Sequence, residues 1–231
     1  KRVPSRLWRS VHRRYWSRVW AYEQEEEAKA LGFRASEPIQ GSERAHLIEH
    51  ISDAYPFKRV LEVGCSFGQN FVSLAPHYPS VAFVGIDADA HRIEEGRRML
   101  AARGIRNVEL FQANAEALDE FEAQSFDVVY CCALLLYADP PSAERIVREM
   151  IRVAKRTVLL MEQHREREEA EFVRRPGRED GYWIRDYFRL ASRCAPASRI
   201  LLEPVPAPRW PAEQWKRFAH VIRIELPALE E

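Results

Sequence analysis

The chain has 231 residues, of which 46% are hydrophobic and 30% charged. That suits one α/β domain with added elements and is too apolar for a disordered chain. Lys plus Arg and Asp plus Glu both total 35, so the formal net charge is zero, and the basic excess of a dedicated nucleic-acid binder is missing. No apolar run approaches the ~18 residues of a membrane span, and the N-terminus carries no stretch of signal-peptide type. The cysteines are Cys65, Cys131, Cys132 and Cys194, with no Cys-x-x-Cys among them. Adjacent cysteines do not suit a structural disulfide, so a reducing, cytoplasmic setting is expected.

Residues 1–20 hold seven Lys or Arg and no acid. Trp8, Val11, Tyr15 and Val19 recur at helical spacing, which predicts an amphipathic helix. It either packs with a solvated basic face or forms a lid whose Tyr15, Trp16 or Trp20 close over a ligand. The chain is therefore divided into an N-terminal helical extension, 1–40, and a main domain, 41–231.

Ser42 is placed to cap a helix reaching about Ala54. That helix contains His46-Leu47-Ile48-Glu49-His50, a string able to hold zinc, but it precedes the first strand and has no evident third ligand, so no metal is expected. Apolar runs follow at 59–63, 81–86, 107–112, 126–131 and 157–161, rich in Val, Ile, Leu and Phe as buried parallel strands are. Helical patterns lie between them near 69–77, 89–103, 115–121 and 141–154, with another near 184–193. Ser198–Val205 and Arg217–Leu226 read as strands, and the proline-rich Pro204–Trp215 as an extended loop. The alternation predicts a parallel sheet with helices on both faces, whose ligands bind beyond the carboxyl ends of the strands.

The richest segment is Leu61-Glu62-Val63-Gly64-Cys65-Ser66-Phe67-Gly68-Gln69-Asn70. Gly64 frees the backbone to turn off the strand beside a ligand, and Gly68 permits close contact where the helix starts. The Gly-x-x-x-Gly spacing is not the Gly-x-Gly-x-x-Gly of dinucleotide folds. Glu62 stands in an apolar strand and needs a partner there. At the end of the second strand, Asp87 can accept both hydroxyls of a ribose, and Asp89 suits a helix N-cap.

On Glu62, Gly64 and Gly68 the chain resembles the class I S-adenosylmethionine-dependent methyltransferases, whose first motif is a strand followed by Glu/Asp-x-Gly-x-x-x-Gly. The resemblance implies a three-layer αβα sandwich with a mostly parallel seven-stranded sheet, the last strand antiparallel: the Rossmann-like methyltransferase fold. It implies S-adenosyl-L-methionine as cofactor and S-adenosyl-L-homocysteine as product. Glu62, Gly64, Cys65, Ser66, Gly68 and Asn70 would face the methionine and ribose, Asp87 the ribose, and Ala88 the adenine. Asn114, where the family often has Asp, would take the adenine amino group beside Ala115, and Cys131 and Cys132 would line the methionine arm. Tyr137 and His164 are the candidate catalytic residues. Glu162, Tyr182, Arg185 and Tyr187, with Trp16 and Trp20 from the extension, are the candidate substrate wall.

The chain lacks an Asn-Pro-Pro-Tyr after its fourth strand, which argues against DNA adenine or protein glutamine methylation. The expected reaction is methyl transfer to O or N of a small metabolite, in the manner of small-molecule enzymes of sugar or secondary-metabolite pathways, by a monomer or homodimer without nucleic acid or membrane. An RNA methyltransferase using Lys1–Arg18 and a non-catalytic methyltransferase-like binding subunit are the alternatives.

Overall fold

The structure, a computed structural model, describes residues 43–174, 181–206 and 218–227. The N-terminal extension with Trp16 and Trp20, the cap at Ser42 and most of the proline-rich loop lie outside the described residues. A helix, α1 (Glu43–Ser52), leads into β1 (Arg59–Val63), and α2 (Gln69–Leu74) continues as a 3-10 turn through His77. Next come β2 (Ala82–Asp87), α3 (Ala90–Ala102), β3 (Val108–Gln112) and β4 (Phe126–Cys132). A 3-10 turn at Leu135–Tyr137 precedes α4 (Pro140–Val153) and β5 (Ala154–Gln163). The chain then forms β6 (Glu171–Arg174), β7 (Gly181–Ile184), α5 (Tyr187–Cys194), β8 (Arg199–Pro204) and β9 (Ala219–Glu225).

Among the described residues the main sheet has seven strands in the order β3-β2-β1-β4-β5-β9-β8. β1 through β5 pair in parallel, with Leu61 opposite Val84 on one side and Val129 on the other. β9 runs antiparallel between β5 and β8, with Leu160 opposite Ile222. Each central strand is buried on both faces. Leu61, Val63, Ile86 and Val129 join one core, while Val60, Phe83, Val128 and Tyr130 join the other. That two-sided burial is why these strands read as continuous apolar runs rather than as alternation. The strand order reverses between β1 and β4, the point at which open α/β sheets form a crevice beyond the carboxyl ends of their strands.

The helices start where their caps dictate. Asp89 accepts the His91 amide at 2.9 Å, Asp139 that of Ser142 at 2.8 Å, and Asp186 that of Arg189 at 2.8 Å. Helix α4 buries Ala143, Ile146, Val147, Met150 and Val153, one stripe at helical spacing. Within α3, Gly96 allows an unusually close approach: a Cβ there would stand 2.6 Å from the Phe67 carbonyl oxygen. The helix thus rests on the main chain of the turn that follows β1.

Two expectations need correction. The segment 115–121 forms turns, not a helix. Its backbone groups are taken by α4: Glu149 accepts the Leu118 amide at 3.0 Å, and Arg152 donates to the carbonyls of Leu118 and Phe121 at 2.9 and 3.0 Å. The charged residues 165–180, which carry no strand or helix pattern in the sequence, include β6, which pairs with β7 as an antiparallel hairpin with Phe172 against Trp183, ring centres 5.3 Å apart. The following helix consequently starts at Tyr187, after the Asp186 cap, and not at Ile184. No described helix is long and apolar enough to cross a membrane.

Candidate active site

The carboxyl ends of β1, β2 and β3 meet at the Gly64–Gly68 turn. Gly64 and Gly68 hold φ of 77° and 71°, and Ser66 between them, though not a glycine, holds 52°. This is left-handed backbone, which a Cβ strains. A Cβ on Gly64 would also sit 2.8 Å from Leu134 Cδ1, in the loop after β4. The amides of Gly64 and Cys65 both donate to the Ile86 carbonyl, at 2.8 and 2.9 Å, pinning the turn to β2. Asp87 completes the joint: Oδ2 accepts the Ser66 amide and Oδ1 the Asp89 amide, both at 2.9 Å. Each of those oxygens keeps further acceptor capacity. The hydroxyl of Ser66 is buried without a hydrogen-bond partner.

Glu62 lies beneath this turn and is almost fully buried. Its Oε1 accepts from Asn70 Nδ2 at 2.6 Å and its Oε2 from the Tyr130 hydroxyl at 3.0 Å. Burial raises its pKa to about 8 although both bonds pull the other way. The Cys65 side chain is also buried, and a Cβ on Gly85 would lie 2.8 Å from its Sγ. Ala88 and Asn114 are exposed at the rim and Ala115 is half-buried. Asn114 Oδ1 accepts the Glu116 amide at 3.1 Å. Of the residues read as cofactor contacts, Gly64, Ser66 and Gly68 lie in one turn that Asp87 joins through the Ser66 amide, while Glu62 is bonded to Asn70 and Cys65 is buried.

The β4–β5 end is built differently. Glu162 is fully buried, and Oε1 accepts the amides of Leu134 and Leu135 at 2.8 and 2.7 Å while Oε2 accepts that of Leu136 at 3.3 Å. It faces the main chain of the loop and not open space. Burial lifts its pKa to about 7 against the pull of those amides and of Arg185. Cys131 Sγ lies 3.7 Å from the same carboxylate, inside the core, and the half-buried Cys132 has its sulfur 3.8 Å from Met161 Sδ.

His164 is buried, and its Nδ1 accepts the Tyr187 amide at 3.2 Å. That bond puts the neutral imidazole's proton on Nε2, leaving no free lone pair for a base. Burial also depresses its pKa. Tyr137 and Tyr182 are half-buried on the 3-10 turn and the hairpin. Arg185 donates through Nη2 to the Ala138 carbonyl, bridging the loops after β4 and β7. Sequence reasoning missed Tyr130 and the amides of Leu134–Leu136: a strand tyrosine and three leucines carry no signal of a polar role.

The zinc-like string resolves into a hydrogen-bonded pair, with His46 Nε2 and His50 Nε2 3.2 Å apart and His46 Nδ1 3.4 Å from Glu49. Among the described residues no group of three or more His, Cys, Asp or Glu is placed to hold a metal.

The sheet order and the glycine turn are those of the Rossmann-like fold of the class I methyltransferases. Residues 60–157 match the family described as methyltransferase domain. The ubiquinone biosynthesis O-methyltransferase of Neisseria meningitidis serogroup A is 36% identical over 99 residues, 42% of this chain and 40% of that protein. A SAM-dependent methyltransferase from Aquifex aeolicus superposes with a TM-score of 0.59 at 12% identity, over 87% of this chain and 98% of that one. The [4+2]-cyclase SpnF superposes with a TM-score of 0.60 at 20% identity, over 80% and 82%. This chain spans between 16% and 41% of the length of the first curated relatives it matches.

Proposed function

We propose that this protein binds S-adenosyl-L-methionine on the Gly64–Gly68 turn and transfers its methyl group to an oxygen or nitrogen of a small molecule, leaving S-adenosyl-L-homocysteine. The observation that carries this reading is the joint at Asp87, which ties the Ser66 amide to the end of β2 and keeps acceptor capacity for a ribose. The residues fit the cofactor in two further respects. The left-handed backbone of Gly64 and Gly68 folds the turn back over the end of β2, and the Ser66 hydroxyl is buried with no partner within the protein. The O-methyltransferase relative supports the reaction class.

When bound, the cofactor supplies a methyl already activated on a sulfonium. The protein's own task is alignment and exclusion of water, which lower the barrier without an acid or base. Gly64, Ser66, Gly68 and Asp87 would hold the cofactor, with Ala88, Asn114 and Ala115 at its adenine end. Half-buried Tyr137 and Tyr182, with Arg185 and Tyr187 buried behind them, would face the acceptor. His164 fixes the start of α5 through the Tyr187 amide and acts by positioning.

Calorimetric titration of the full chain with S-adenosyl-L-homocysteine tests the reading. Saturable one-site binding is expected, weakened about 10- to 100-fold by Asp87→Ala, the loss of hydrogen bonds to a charged group. No heat of binding to either S-adenosyl compound would sink it. Since the same fold serves a [4+2]-cyclase, transfer of a labelled methyl group is the complementary readout.

A further inference from the structure

Arg185 is 5% exposed where β7 runs into α5. One corner of its guanidinium is spent on the Ala138 carbonyl, but Nε and Nη1 have no hydrogen-bond partner. The hydroxyl of Tyr187, a wholly buried residue, has none either. The guanidinium carbon lies 5.6 Å from the centre of the Tyr187 ring, and its charge reaches the Tyr187 hydroxyl. Both residues are rigidly placed. Arg185 pairs with His164 across an isolated parallel bridge and accepts the Arg165 amide at 3.1 Å, while Tyr187 donates its amide to His164.

A guanidinium stays charged at any pH a protein meets, and burying it without a paired anion is costly. Glu162 is close enough to feel its charge, yet neither Nε nor Nη1 of Arg185 is hydrogen-bonded to it. A negatively charged hydrogen-bond acceptor would complete this arrangement, and no described residue hydrogen-bonds these donors.

Resting on the methyl-transfer reading, we propose that Arg185 and Tyr187 form the anion pole of the acceptor site, built for a carboxylate carried by the methyl acceptor. Two guanidinium nitrogens and one hydroxyl offer donors suited to two carboxylate oxygens. One positive charge beside buried Glu162 favours a monoanion over a phosphate dianion. The site borders Ala138, immediately after the 3-10 turn that ends the β4 loop, so a carboxylate held there places the rest of the acceptor along the rim toward the cofactor turn.

The test is thermal unfolding of the full chain with S-adenosyl-L-homocysteine present, titrated at constant ionic strength with benzoate, its neutral isostere benzamide, and inorganic phosphate. Benzoate is expected to raise the midpoint saturably, and benzamide and phosphate to leave it unmoved. Arg185→Met should weaken the benzoate response about tenfold or more, and Tyr187→Phe about threefold, the loss of a charged fork and of one hydrogen bond. Should the Met variant not fold, Arg185→Lys keeps the charge, loses the fork, and is expected to weaken the response severalfold. The proposal is overturned if the wild type ignores benzoate, if benzamide or phosphate matches it, or if the Arg185 variants respond like wild type. A benzoate response without any binding of S-adenosyl-L-homocysteine would remove the methyl-transfer reading and leave the anion pole standing.

Discussion

The two ends of the crevice solve one problem by opposite means. Each has a buried glutamate below a loop at a strand's carboxyl end, Glu62 on β1 and Glu162 on β5. Glu62 is held by two side chains, Asn70 and Tyr130, and leaves its turn to be shaped by glycines with left-handed backbone. Glu162 gathers three consecutive main-chain amides, so its loop owes its shape to a single carboxylate. Special residue types build the first end, and an ordinary loop clasped from beneath builds the second. The first end can be fixed for one cofactor, while the residues above Glu162 are free to vary around a constant backbone.

The largest test of this contrast is Glu162→Ala, which strands the amides of Leu134, Leu135 and Leu136 in the interior. A loss of about 3–5 kcal/mol in unfolding free energy is expected by chemical denaturation, with Glu162→Gln recovering much of it. A cost below ~1 kcal/mol would show that the loop holds itself.

The next test is pH. Burial raises Glu62 to about 8 and Glu162 to about 7 from an ordinary 4.5. A carboxyl whose pKa is higher in the folded state contributes its full stability below the unfolded value and loses it as pH rises through the folded one. Stability should therefore decline as pH rises from about 5 to about 8.5. Glu62→Gln should flatten the upper part of that decline and Glu162→Gln the lower part. A rise over this window would show both carboxylates to be stabilised as anions.

The smallest effect concerns His164. Burial holds its pKa below the ordinary 6.5, so the imidazole should be neutral at pH 7 with its proton on Nε2, as nitrogen-detected NMR of the ring can report. His164→Asn should cost only about 1 kcal/mol, because the amide oxygen can still accept from Tyr187. A proton found on Nδ1 would return the residue to the role of a base.

This difference also explains what the sequence disclosed. The parallel strands, the αβα layering and the glycine turn were all legible, since continuous apolar runs and Gly64-x-x-x-Gly68 have few other uses. Asp87 was legible because a carboxylate at a strand's end stands out. The apparent helix at 115–121 misled because its amphipathic spacing was genuine, while Arg152 and Glu149, three dozen positions away at most, claimed the backbone groups it needed. The hairpin of β6 and β7 was hidden in a run of charges. Glu162 and His164 were noticed but assigned to open space, because sequence gives a side chain's chemistry and not its direction.

Gly96 bears on all of this from outside the crevice. Helix α3 meets the turn after β1 main chain to main chain, with no side chain between them to deform. Such a joint has no slack. The outer helical layer therefore acts as the template against which the glycine turn is cast, and drift anywhere along that helix is tolerable only if it leaves this one bearing surface smooth.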